Sequence, residues 1–179
     1  MGTEWSLSAV DEVGLDGAAI RIRIEALFAR VIAQMSQWDP ESELSRFNRA
    51  AADSWHPIGP QFRIVLDCAL QIARASDGAF DPALGAVSER WGFGAGANPT
   101  VMPLRSDPAR EPGWRDLRLN DDGHVWQPGG LRLDLSGIAK GFAVDMVLAA
   151  LKSASWAESL KKNDWTPAVI SGDAFTKFV

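Results

Sequence analysis

The run Leu131–Asp145, LRLDLSGIAKGFAVD, constrains the fold more than any other stretch of the chain. Leu131, Leu133 and Leu135 alternate with Arg132, Asp134 and Ser136 at the two-residue period of a strand with one buried face. From Ile138 the period changes. Ile138, Phe142, Met146 and Ala149 recur at three- and four-residue spacing, which predicts a helix from Ser136 or Gly137 to about Leu151 with these residues on its apolar stripe. A strand therefore feeds a helix through a turn of small residues. Such a turn directs backbone N–H groups outward, Ser136 can cap it, and the positive end of the helix dipole favours an anion such as phosphate. Lys140, one turn in, can add a mobile cation to the same anion. Strand–glycine–helix junctions are also common without binding anything, and the generic phosphate-loop and dinucleotide glycine patterns are both absent. Spacing alone leaves the two readings open.

A chain of 179 residues has the size of one domain with a sizeable core. Its formal charge of −5 argues against nucleic acid as a partner, because no basic stripe exists to replace phosphate counterions. Cys68 is the only cysteine, which rules out a disulfide within the chain and a thiolate metal cluster; its setting, IVLDCALQIA, predicts a small residue in a helical core. His56 and His124 lie in polar turns without partners at metal-ligand spacing. No apolar run reaches the roughly 18 residues of a membrane span, and no basic segment followed by an apolar one reads as an export signal.

In chain order, MGTEWSLSAV alternates like a strand, and Asp16 or Gly17 opens a helix whose Ile20, Ile24, Leu27, Phe28 and Val31 share one face as far as Met35. The polar run SQWDPESELSRFNRA carries two short helical hints and the aromatic residues Trp38 and Phe47; the plain structural reading makes Trp38 a lid on the end of the first helix. After a loop from Ser54 to Pro60, a second helix runs from Pro60 to Ala75 with Phe62, Val65, Leu66, Ala69 and Ile72 on one side, and Asp77–Gly78 ends it. The glycine-rich run that follows carries a Phe-Asp-Pro turn and the aromatic pair Trp91 and Phe93. It reads equally as a long surface turn or as a wall for a flat aromatic ligand beside Asp81. Leu117 to Trp126 reads as a hairpin turning at Asn120-Asp121-Asp122-Gly123.

Three separated runs, MSQWDPESELSRFN at 35–48, DGAFDPALGAVSERWGFG at 77–94 and LDLSGIAKGFAVD at 133–145, together resemble the FAD:protein FMN transferase family, known as ApbE. The opening Met-Gly-Thr is similar to the family's first strand. The resemblance implies an α+β fold, a largely antiparallel sheet with packed helices, and an enzyme that splits FAD, transfers FMN to a Thr or Ser hydroxyl of an acceptor protein and releases AMP with Mg2+. By the same resemblance, Met1, Trp38, Ala79, Phe80 and Asp81 would contact the flavin nucleotide, and Asp134 and Lys140 would bind it around the central turn. The backbone of Gly137 would give one magnesium contact.

The resemblance weakens beyond the central helix. The family continues with a Gly-Gly-Asp strand, a His-x-x-Asp-Pro-x-Thr-Gly segment and a later Asp and Thr for the metal, and none of these follows in order here. Ser155–Lys162 and Trp165–Ile170 instead resemble its last helix and strand, so an internal deletion with a seam near 153–156 is expected within a single domain spanning residues 1–179; the alternative is that Ser171-Gly172-Asp173 belongs to an earlier Ser-Gly strand of the family and the sequence stops short of the rest. With the general base and two metal ligands missing, impaired transfer is expected. An inactive flavin-nucleotide-binding module and a homo-oligomeric interaction protein are the alternatives. Family members are often exported and tethered at a membrane, a location that nothing in these residues encodes.

Overall fold

Asp16 opens the first helix by accepting the N–H groups of Ala18 and Ala19 on its carboxylate, at 3.1 and 3.0 Å. The computed structural model describes residues 4–7, 16–95 and 113–153. Among them run α1 (Gly17–Met35), α2 (Glu43–Asn48), β1 (Ser54–Pro57), α3 (Pro60–Ala75), α4 (Gly85–Arg90), a 3-10 turn at Trp114–Asp116, β2 (His124–Gln127) and α5 (Ala139–Leu151). The fold class is α+β. These residues fall into two compact units, divided within α1 after Leu27 and within α5 after Phe142.

In the unit from Phe28 to Phe142, α3 supplies the largest share of the core: Phe62, Val65, Leu66, Ala69, Leu70 and Ala73 are all buried along one face. Its start has Pro60 at the first helical position and no capping side chain on Gly59. Gln34 of α1 serves instead, its Oε1 accepting the Phe62 N–H at 2.9 Å. The helix ends where the sequence places the stop. Asp77 and Gly78 take positive φ angles of 49° and 84°, and the Gly78 N–H returns to the Ala73 carbonyl at 2.8 Å. Two expectations for this helix are overturned. Ile72 is 41% exposed and Cys68 is exposed, because residues 64, 68 and 72 recur every four positions on the side of α3 opposite the buried one.

The only sheet among the described residues pairs β1 with β2 antiparallel, in the register Ser54↔Gln127, Trp55↔Trp126, His56↔Val125 and Pro57↔His124. Ser54–Pro57 is therefore a strand where its polar, proline-flanked sequence predicts loop. The expected hairpin is present as a turn closed by the Gly123 N–H to Asn120 carbonyl bond and a Leu119↔Val125 bridge, but the main partner of β2 is β1.

Leu131, Leu133 and Leu135 are buried to 0, 1 and 1% exposure, so the alternation reads the burial correctly. The segment is not a strand of the sheet. Gly129 and Gly130, at φ of 108° and 74°, turn the chain back so that Leu131 lies beside the Gln127 side chain. Gln127 Oε1 accepts the N–H groups of Gly129 and Leu131, each at 3.1 Å, and its Nε2 donates to the carbonyls of Leu131 and Phe47 at 2.9 and 3.1 Å. Asn48 treats Leu133 in the same way, accepting its N–H at 2.8 Å and donating to its carbonyl at 2.9 Å. On the other edge the Gly85 N–H donates to the Arg132 carbonyl and the Asp134 N–H to the Pro82 carbonyl, both at 2.9 Å. A Cβ on Gly85 would stand 2.8 Å from that Arg132 oxygen, so the approach requires glycine.

The other unit contains the first part of α1 and the last part of α5, whose Ile20, Ile24, Leu27, Val147, Ala150 and Leu151 line a small apolar hollow. The buried positions of α5 are Ala139, Ala143 and Val147, one residue on from the expected stripe; Ile138, Phe142 and Met146 are only half-buried and Ala149 is exposed. The helix starts at Ala139, after both expected positions, and the small residues Ala139 and Ala143 are on its buried side. Glu4–Leu7 forms no regular element, and the rest of the expected first strand, Ser155–Lys162 and Trp165–Ile170 lie outside the described residues.

Candidate functional site

The unit from Phe28 to Phe142 brings two distant runs together around a small open cleft lined by Met35, Ser36, Gln37, Trp38, Leu135, Ser136, Ala139 and Lys140. Three serines shape the first wall. Ser36 Oγ accepts the N–H groups of Trp38 and Asp39 at 3.2 and 3.3 Å, and its carbonyl accepts the hydroxyls of Ser42 and Ser45 at 2.5 and 3.1 Å. Ser42 also caps α2 through the Ser45 N–H at 3.0 Å. The chain is thereby fixed sharply after α1, and Trp38 stands 60% exposed at the cleft rather than closing the helix end as a buried lid.

The second wall is the turn after Leu135. Asp134 Oδ1 accepts the Ser136 N–H at 2.9 Å, so the side chain that caps this turn is that of Asp134, whereas Ser136 Oγ accepts from Gln37 Nε2 at 2.9 Å. The Ile138 and Ala139 N–H groups both return to the Leu135 carbonyl, at 3.0 and 2.8 Å, and the next helical bond runs from Phe142 to Ile138 at 3.1 Å. Among the described residues, no backbone N–H therefore reaches the carbonyls of Ser136 and Gly137. Lys140, the second residue of α5, is exposed and makes no ion pair with a described residue.

The Ala79–Phe80–Asp81 turn lies against the same junction. A Cβ on Gly137 would meet Phe80 Cε2 at 3.5 Å, and the Pro82 carbonyl takes the Asp134 N–H. Asp81 is occupied with its own surroundings: Oδ1 accepts the Ala83 N–H at 2.7 Å and Oδ2 the Trp114 N–H at 3.4 Å. Trp38, Ser136 and Lys140 thus share a cleft, and Phe80, Asp134 and Gly137 adjoin it in sequence or space. Asp81 shapes its turn and Ala79 is exposed, while Met1 lies outside the described residues. Trp91 and Phe93 are 54% and 69% exposed.

Sequence reasoning overlooked Gln37, Asn48 and Gln127, because an amide side chain in a polar run carries no periodic signal. As metal ligands the described residues offer little: no group of three or more His, Cys, Asp or Glu could hold an ion. His56 Nε2 is 2.8 Å from Ser54 Oγ and its ring packs edge-on to Phe47, which gives it a structural setting. The free Gly137 carbonyl suits one hard-cation contact, but magnesium demands near-octahedral oxygen coordination, which these residues alone do not complete.

The sequence model of the ApbE family matches residues 1–160. The chain belongs to that family. It is 32% identical over 157 residues to an FAD:protein FMN transferase of Vibrio cholerae, a match covering 86% of this chain and 47% of that protein. The corresponding Haemophilus influenzae transferase is 31% identical over 162 residues, covering 85% and 47%. Among solved structures, the flavin transferase ApbE from Vibrio cholerae superimposes with a TM-score of 0.74 at 30% identity, covering 82% of this chain and 48% of that one. The apo flavinyl transferase ApbE of Pseudomonas stutzeri gives 0.70 at 28%, covering 79% and 48%. The chain spans about half the length of these relatives. They are enzymes whose names imply a flavin nucleotide substrate and a protein acceptor.

Proposed function

We propose that the cleft between Trp38 and Lys140 is the flavin-nucleotide-binding part of an FAD:protein FMN transferase. The observation that carries this reading is the juxtaposition of an exposed indole, a serine hydroxyl and an exposed ammonium at the N-terminal end of α5. An anion there meets the positive end of the helix dipole and the Lys140 cation, and a flat ring system can lie against Trp38. Phe80 and Gly137 form the adjoining surface, and Asp134 acts by holding the Ser136 N–H and so fixing the turn. Magnesium bound with the nucleotide would supply charge neutralisation at the pyrophosphate, and the Gly137 carbonyl is the group of this turn that would contact it.

Binding and transfer make different demands. These 179 residues carry the cleft but lack, in the family's order, its general base and two further metal ligands, so nucleotide binding with weak transfer is the expected behaviour. Incubation with FAD, magnesium and a peptide bearing the acceptor Thr tests this by AMP release. FAD bound without appreciable AMP is the expected outcome. Sustained AMP release with flavinylated peptide would overturn the claim of impaired transfer.

A further inference from the structure

Gln37 joins two stretches that the cleft depends on and that lie far apart in the chain. Its Nε2 donates to Ser136 Oγ at 2.9 Å across 99 residues of sequence. Its Oε1 lies against the glycine-rich loop after α4, where a Cβ on Gly94 would come within 2.9 Å of it; Gly94 takes a φ of 97°. Glu89 Cγ borders the same position, and the Glu89 carboxylate is held by Arg132 Nη1 at 2.6 Å. The amide thus lies between the Gly94 backbone, whose positive φ favours glycine, and the Ser136 hydroxyl.

The direction of the Gln37–Ser136 bond determines what Ser136 can do for a ligand. Its N–H is taken by Asp134 Oδ1. Its Oγ lone pair receives the Gln37 amide. The hydroxyl hydrogen is then the remaining donor, and among the described residues no acceptor is bonded to it. A hydroxyl that accepts from an amide is polarised to donate onward, and a donor next to Lys140 and the α5 N-terminus is matched to a phosphate oxygen.

We propose that Gln37 is a positioning residue that turns the Ser136 hydroxyl into a donor for the phosphate-bearing part of the ligand. This rests on the flavin-nucleotide reading for the identity of the ligand, though the hydrogen-bond argument needs only a phosphate. Gln37→Ala frees Ser136 Oγ–H to rotate. Gln37→Glu goes further, because a carboxylate accepts the Ser136 hydrogen and adds negative charge beside the anion.

The test is calorimetric titration of the folded 179-residue chain with FAD, riboflavin and inorganic pyrophosphate, for the original protein, Q37A, Q37E, S136A and the Q37A/S136A double variant. A charge-assisted hydrogen bond governs roughly a ten-fold change in affinity. Q37A is expected to weaken FAD and pyrophosphate by about 3- to 10-fold and Q37E by more, on the same scale, with riboflavin unchanged. The Q37A loss is also expected to vanish in the S136A background. Equal losses for riboflavin, additive losses in the double variant, or unchanged pyrophosphate affinity would overturn the proposal, as would an original protein that binds no phosphate-bearing probe. The flavin reading fails separately if pyrophosphate binds and responds to Gln37 while FAD gains nothing over it.

Discussion

β1 and β2 pair backbone to backbone, whereas Leu131–Leu135, more deeply buried, is satisfied by side-chain amides on one edge and by the 82–85 turn on the other. Both arrangements fulfil the requirement that buried N–H and C=O groups be bonded. They differ in what they leave free. A ladder strand is held by its neighbour along its length, while this segment is held at Leu131 and Leu133 by Gln127 and Asn48 and at Arg132 and Asp134 by the 82–85 turn, with no ladder among the described residues to carry it on in the same direction. The chain uses that freedom at Ser136 and Gly137, where it turns into α5 with two carbonyls outside the helical ladder.

The contrast can be broken most forcefully at Gln127, which is 1% exposed and whose amide makes hydrogen bonds at both of its ends. Gln127→Ala strands several buried backbone groups at once and is expected to cost about 3 kcal/mol in urea denaturation. A loss below about 1 kcal/mol would mean that water or a rearranged backbone takes over the role. Asn48→Ala removes the half-buried partner of a single residue, Leu133, and about 2 kcal/mol is expected in the same measurement. At the far end of the scale lies the exposed face of α3. Cys68→Ser should stay within about 0.5 kcal/mol, and a loss of several times that would restore the buried reading of Cys68.

These same elements show what could be read from the sequence. The bounds of α1 and α3 follow from Asp16, Pro60 and Asp77–Gly78, because caps and stops act over a few residues and leave a local mark. The burial of Leu131, Leu133 and Leu135 was legible for the same reason. Their partners were not, since the Asn48–Leu133 bonds span 85 residues and no local pattern announces which amide reaches which carbonyl. Cys68 and Ile72 were misplaced because an apolar residue on the outer face of a helix looks, in sequence, like one on the inner face.

The candidate site divides along the same line. The turn at Ser136–Lys140 was visible as a change of period, and Trp38 entered through the resemblance of a whole run to the family. Gln37, one residue before that tryptophan, became recognisable only when the fold set it beside Ser136.

Titrating FAD with magnesium into the original protein and Lys140→Ala side by side decides whether this cleft receives the phosphates of a flavin nucleotide through Lys140. Lys140 is exposed, so its replacement should leave the melting temperature unchanged while weakening FAD by about ten-fold, the loss of one charge-assisted contact. Equal affinity in the two proteins, or no binding by the folded original, would contradict it.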